Sequence, residues 1–326
     1  MKNKILISIL LLFIIVFSCK KDDDTDDFIT ADIIERDVQQ IEDDALLLNY
    51  FDTHYYNATF LASLPNPTIS DIIISEDPID EFGNNNTLLS TPGVLTVRET
   101  FHADTDYKYY ILNINEGGGS ESPNFCDNVR VNYSGNYLDG EIFDSTANPE
   151  EFDLINVVRG WQLVMPEFAI SESVTNNNDG TVTFSNYGLG VMFLPSGLGY
   201  YVDVPLNSGI PLYASLIFKF EMLEMEINDH DSDNVPSYIE DLNNDLFFGE
   251  DTDEDTFVDF IDTDDDGDGI LTIDEDLEDT DLTVDSDGDG DPTNDKNGDG
   301  DPTNDDTDGD GIPNYLDTDD SESRDN

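Results

Sequence analysis

Basic residues are scarce: 12 Lys and Arg stand against 75 Asp and Glu, a formal net charge of -63 over 326 residues. A nucleic-acid partner needs a basic footprint that displaces counterions from phosphates, so that class is excluded. Cysteine occurs twice, too seldom for the disulfide framework that staples small secreted domains. The three histidines, His54, His102 and His230, stand in no constellation with a Ser or Cys that a nucleophilic hydrolase would use. Long hydrophobic runs are missing too. The one candidate, Ile5 to Phe17, is short of the about 20 residues a membrane-spanning helix needs.

What is present changes sharply along the chain, and several organisational units are expected. Lys2 and Lys4 ahead of the apolar run read as an export signal. Val16-Phe17-Ser18-Cys19 closes that run and resembles the lipobox of bacterial lipoproteins, with Phe17 an unusual occupant. The resemblance implies lipidation of Cys19 as the mature N-terminus and leaves Cys126 without an intramolecular partner, a small and partly buried core residue. Lys20-Lys21-Asp22-Asp23-Asp24 resembles the charged tag that carries Bacteroidetes lipoproteins to the cell surface. The implied location is the cell envelope, on a lipid anchor in the outer membrane, facing the periplasm or the medium.

Residues 20–30 read as an acidic tether and 31–106 as an N-terminal segment containing a helix. In that helix Ile34, Val38, Ile41, Ala45 and Leu48 recur at spacings of three and four, with Thr30 or Asp32 as N-cap. Such a stripe predicts packing against a neighbouring domain or a second copy of the chain. Residues 64–91 are rich in Pro, Asn and Asp, with one apolar run, Ile72 to Ile74, that reads as a short strand. Alternation predicts strands at Val94 to Val97, Tyr107 to Ile114, Asn128 to Tyr133, Glu141 to Asp144, Gly190 to Leu194 and Ala214 to Met225. A short helix is expected near Val158, and a hairpin tip at Asn176-Asn177-Asn178-Asp179-Gly180 flanked by Val174 and Val182.

The stretch 107–227 carries VRVNYSGNYLDGEIFDS, VVRGW, LPSGLGYY and IPLYASLIFKFEMLEM in order, and in this it resembles the FKBP family of peptidyl-prolyl isomerases. The implied class is α+β: an antiparallel sheet wrapped around one short α-helix. The resemblance also implies a cleft for proline. Tyr133, Phe143, Asp144, Phe152 and Val157 fall at matching positions, as do Val158, Trp161, Tyr200, Ile210 and Phe218. Trp161 would form the floor under the proline ring, with Tyr133, Phe143 and Phe218 as walls. The Val158 N–H and the Tyr200 hydroxyl would donate to substrate carbonyls, and Asp144 would shape the rim. Such a site needs no catalytic cofactor. The loop between Asp144 and Val157 is short and holds only Phe152, and Tyr201 and Pro205 alter the far rim.

Residues 228–326 are an Asp-rich array in which SDGDGDPTND is echoed by KNGDGDPTND. Asp264, Asp266, Asp268, Ile270 and Glu275 occupy places one, three, five, seven and twelve of an EF-hand-like loop. Hard oxygens at those places suit calcium, with Ile270 contributing its carbonyl. Asp229, Asp231, Asp233 and Glu240 repeat the spacing, as do Asp306, Asp308, Asp310 and Asp317; Asp285, Asp287 and Asp289 form a partial copy. Tight spacing with frequent Gly and Pro resembles thrombospondin type 3 repeats more than paired EF-hands, implying structural Ca2+. The whole reads as an envelope lipoprotein that isomerises X-Pro bonds of exported polypeptides, with residues 1–19 as its signal. The competing expectation is a surface binding or adhesion module that uses the same scaffold without turnover.

Overall fold

The computed structural model describes residues 33–275, 301–306 and 309–319. The export signal, Cys19, the tether, both proposed helix caps and Asp285, Asp287, Asp289 and Asp308 lie outside them.

Helix α1 (Arg36–Thr53) starts after Glu35, which makes no side-chain capping bond. Its seating departs from the periodicity. Ile34, Val38, Ile41, Ala45 and Leu48 face outward, and the buried residues are Gln39, Gln40, Asp43, Leu47, Tyr50 and Phe51. The reason is a polar anchor: Asp43, fully buried, accepts from the Ser196 N–H at 2.7 Å and the Ser196 hydroxyl at 2.6 Å. Gln39 donates to its other oxygen at 2.7 Å. Two buried donors outweigh an apolar stripe, because a buried N–H without an acceptor costs about 1–3 kcal/mol.

Strand β1 (Tyr55–Tyr56), helix α2 (Ala58–Leu61), β2 (Ile74–Ser75) and β3 (Thr87–Leu88) follow, with β1 central in a small sheet. The main sheet is seven-stranded and antiparallel. It contains β4 (Thr96–His102), β5 (Thr105–Asn115), β6 (Asn128–Asn136), β7 (Ile142–Ser145) and β8 (Glu150–Asp153). Helix α3 (Arg159–Val164) and the hairpin β9 (Ser173–Asn176) and β10 (Val182–Ser185) intervene before β11 (Gly188–Leu194) and β12 (Leu216–Glu226). The strand order is β4-β5-β11-β12-β6-β7, and β8 pairs with the other end of β6. This is the α+β architecture expected.

Both faces of the sheet are covered. Met192, Leu194, Phe218, Phe220 and Met222 face α3, while Leu189, Val191, Phe193 and Ile217 face α1 and the segment after it. A strand buried on both sides needs apolar residues at successive positions, which is why GLGVMFL of β11 is buried throughout. Even the polar positions of β12 are engaged there: Lys219 donates to the Ile72 carbonyl at 2.7 Å, and Glu221 accepts from the Ile69 N–H at 2.8 Å. Cys126 is fully buried, with its thiol free.

Past Glu226, helical structure among the described residues is limited to 3-10 turns such as Asp259–Ile261 and Asn314–Leu316. Val235 and Tyr315 form a small core of their own.

Candidate functional sites

The β6 edge divides, with β7 on residues 134–136 and β8 on 128–131. At this fork Tyr133 of β6, Asp144 of β7 and Phe152 of β8 converge over α3. They line a cavity of about 420 Å³ with Val157, Val158, Trp161, Tyr200 and Phe218. A Cβ on Gly160 would stand 2.2 Å from Leu194 Cδ1, so glycine lets α3 close on β11 and seats the adjacent Trp161 at the floor.

Trp161 is 3% exposed and is met edge-on by three rings. Their centroid distances are 5.6 Å for Tyr133, 5.8 Å for Phe152 and 5.5 Å for Phe218. Edge-to-face packing of this kind fixes ring orientation and leaves the indole face free of stacking partners. Tyr133 donates to Asp144 Oδ2 at 2.6 Å, which holds the exposed carboxylate at the rim. Burial, then the Asp144 charge, raises the Tyr200 hydroxyl above its ordinary value; it stays protonated and able to donate. Burial and the bond to Asp144 raise Tyr133 likewise.

Eight of the ten positions named from the sequence thus meet in one cavity. Phe143 does not line it: its ring packs on Tyr137 at 5.1 Å and behind Phe218 at 5.6 Å. Ile210, 8% exposed, is buried away from it. Asn156 lines the cavity instead; an exposed Asn at the end of a 3-10 turn carried no signal that could have singled it out.

Among the described residues, the acidic array assembles three carboxylate groups in which ligand atoms lie within 4.8 Å of one another. Asp264, Asp266 and Asp268 form one, as their spacing implied. Asp231, Asp233 and Glu240 form another, joined by Asp265 from the following loop. Asp251, Asp253 and Asp255 form the third; their odd spacing, with Asp262 at the twelfth place, is legible in retrospect. Asp229 is not in the second group and accepts from the backbone of Ser232, Asp233 and Asn234. Asp306 likewise accepts from Gly309, Asp310 and Gly311. Asp317 and Glu275 are buried, and the Ile270 N–H donates to Asp268.

The four-carboxylate group has the donor set of a hard cation. Asp233, Glu240 and Asp265 are each 1% exposed. Both oxygens of Asp231, Glu240 and Asp265 and one of Asp233 have no hydrogen-bond partner among the described residues. Burial, followed by the charge of Asp233, pushes Glu240 and Asp265 each up to about 10. Buried charge of one sign, with lone pairs unspent, is what a multivalent cation satisfies.

Searched against protein-family models, the chain matches none. Among curated proteins it is similar to the FKBP-type 22 kDa peptidyl-prolyl cis-trans isomerase of Escherichia coli, 27% identical over 115 residues, 34% of this chain and 47% of that protein. It is similar to the FKBP-type isomerase FkpA of E. coli, 30% identical over 120 residues, 36% and 37% of the two chains. The isomerase Mip of Coxiella burnetii is 35% identical over 74 residues, 22% of this chain and 28% of that protein. The chain therefore spans less than half the length of these curated relatives. Among solved structures, a peptidyl-prolyl isomerase from Pseudomonas syringae aligns over 42% of this chain and 84% of its own at 21% identity, TM-score 0.32. E. coli FkpA aligns over 42% and 53% at 26% identity, TM-score 0.31.

Proposed function

We propose that the protein, one segment of which is homologous to FKBP-type peptidyl-prolyl isomerases, catalyses cis-trans isomerisation of X-Pro bonds in exported polypeptides. The observation that carries this reading is Trp161 at the base of an aromatic-walled cavity, ringed edge-on by Tyr133, Phe152 and Phe218. Rotation about the amide faces a barrier of about 18–20 kcal/mol, because the nitrogen lone pair is delocalised into the carbonyl. The twisted transition state loses that delocalisation and with it much of the charge separation. Aromatic walls around the bond favour it over the planar ground state, and binding energy realised only there accelerates the step. The proline ring lies on Trp161, and the Tyr200 hydroxyl and Val158 N–H donate to the flanking carbonyls. Asp144 orients Tyr133. No nucleophile takes part.

The C-terminal carboxylate groups hold structural calcium, whose charge offsets the repulsion among Asp231, Asp233, Glu240 and Asp265. A lipid on Cys19 anchors the chain in the outer membrane, and the outward stripe of α1 is available to a second copy.

Exchange NMR on a proline-containing peptide with the full chain tests the reading. Phe152→Ala and Tyr200→Phe should each slow interconversion while circular dichroism stays unchanged. Folded wild-type protein that binds the peptide without accelerating it would replace the enzyme with the non-catalytic binding module.

A further inference from the structure

A second groove of about 440 Å³ opens beside the proline cavity, and Val157 and Tyr200 line both. Its outer wall comes from the acidic array: Leu246, Phe247, Phe248 and Phe260. Aromatic residues at this place in a chain of net charge -63 are out of keeping with a solvated acidic tail, so their packing calls for an account.

The wall is fastened to the isomerase domain at several points. Phe248 stacks on Phe260 at 3.9 Å and packs on Phe125 at 5.0 Å. His230 meets Phe260 at 5.5 Å, and its Nε2 stands 3.5 Å from Asp153. Arg159, the residue after Val158, donates from Nη1 to the Leu246 carbonyl at 2.5 Å. Leu246 sits at φ 62°, a left-handed conformation costly for a residue with a side chain. Its N–H and that of Asp245 donate to Asp241, which holds it there. Phe247 is left 60% exposed on the groove wall. Arg159 also lines this groove, its Nη1 committed to the Leu246 carbonyl.

We propose that this groove is an extended substrate subsite, completed by the acidic array. It takes a bulky apolar residue adjoining the target proline, in the same polypeptide whose proline occupies the neighbouring cavity. Continuity through Val157 and Tyr200 identifies the occupant, since a chain leaving one cavity enters the other. Phe247 and Phe248 supply the apolar contact. The array thereby selects which prolines are served.

This inference rests on the isomerase reading, and its test separates the two. Interconversion is measured with the full chain on a minimal Ala-Pro peptide and on longer peptides bearing Leu or Phe beside the proline. The ratio of kcat/KM for the longer to the minimal peptide is compared between wild type and Phe247→Ala. The expected result is a ratio above one in wild type that falls about five- to tenfold in the variant through KM, as loss of an aromatic contact implies. Equal ratios in the two proteins would overturn the subsite. Should neither peptide be isomerised, the isomerase reading fails. Calorimetry with the longer peptide then decides the subsite alone: weaker binding by Phe247→Ala supports it, and unchanged binding overturns it.

Discussion

At the scale of single residues, Asp43 and Tyr200 carry consequences that can be measured. Replacing Asp43 by Ala strands the Ser196 N–H, and a loss of about 1–3 kcal/mol is expected in urea denaturation. Burial holds the Asp43 carboxyl above its ordinary 3.8, so the folded chain takes that proton more readily than the unfolded one. Its contribution is fully present below 3.8 and is lost as pH rises through the raised folded value. Asp43→Asn removes that slope, and denaturation across the acidic range should show a flatter stability profile than wild type. Parallel profiles would contradict the assignment. Tyr200→Phe deletes one donor to a neutral carbonyl, so isomerisation should slow about three- to tenfold with little change in stability. The sequence order made most cavity residues legible, because aromatic positions in β6, β8, α3 and β12 keep their spacing in the chain. Phe143 backs Phe218 rather than lining the cavity, a distinction that a match of motif positions does not make.

Among elements, α1 and α3 show where hydrophobic patterning informs and where it misleads. The α1 stripe repeats at helical spacing, yet the buried face holds Gln39, Gln40 and Asp43. Polar residues that pair with a buried turn are invisible to a pattern that counts apolar side chains. Ile41→Lys, at a position 73% exposed, should therefore alter stability by no more than about 0.5 kcal/mol. A large loss in the monomer would return the stripe to the core. In α3 the close approach to β11 is the sensitive point. Gly160→Ala places a methyl group on Leu194 and should cost about 1–3 kcal/mol through overpacking, with a drop in isomerisation as Trp161 shifts. The strands were easier to read: β6, β11 and β12 follow apolar patterns bounded by turn residues. In the small sheet, β2 (Ile74–Ser75) overlaps the apolar run at Ile72 to Ile74, while β1 and β3 escaped because two-residue strands have no periodicity to detect.

On the scale of the whole molecule, three stretches of sequence converge on one region. Helix α1 supports the turn before Tyr200 through Asp43, the central sheet and α3 form the cavity, and the acidic array walls the adjoining groove. The odd spacing of Asp made the carboxylate clusters legible, but not the part of Asp265, which joins Asp231, Asp233 and Glu240 only through folding of the next loop. Calcium at 100 times its dissociation constant would add about 2.7 kcal/mol to the stability of this array. Titration with EGTA should therefore lower its melting temperature and expand the chain in small-angle scattering, and Asp265→Asn should blunt both effects. Identical melting and scattering with and without chelator would refute a structural cation.

The central claim is catalysis in the cavity floored by Trp161, and the most direct measurement is the relaxation of a cis-enriched proline peptide in the presence of the full chain. Uncatalysed relaxation takes tens to hundreds of seconds at 25 °C. The account predicts a rate that rises in proportion to protein concentration and falls sharply in Phe152→Ala of unchanged fold. Relaxation at the uncatalysed rate, with wild-type protein shown to be folded, would contradict it.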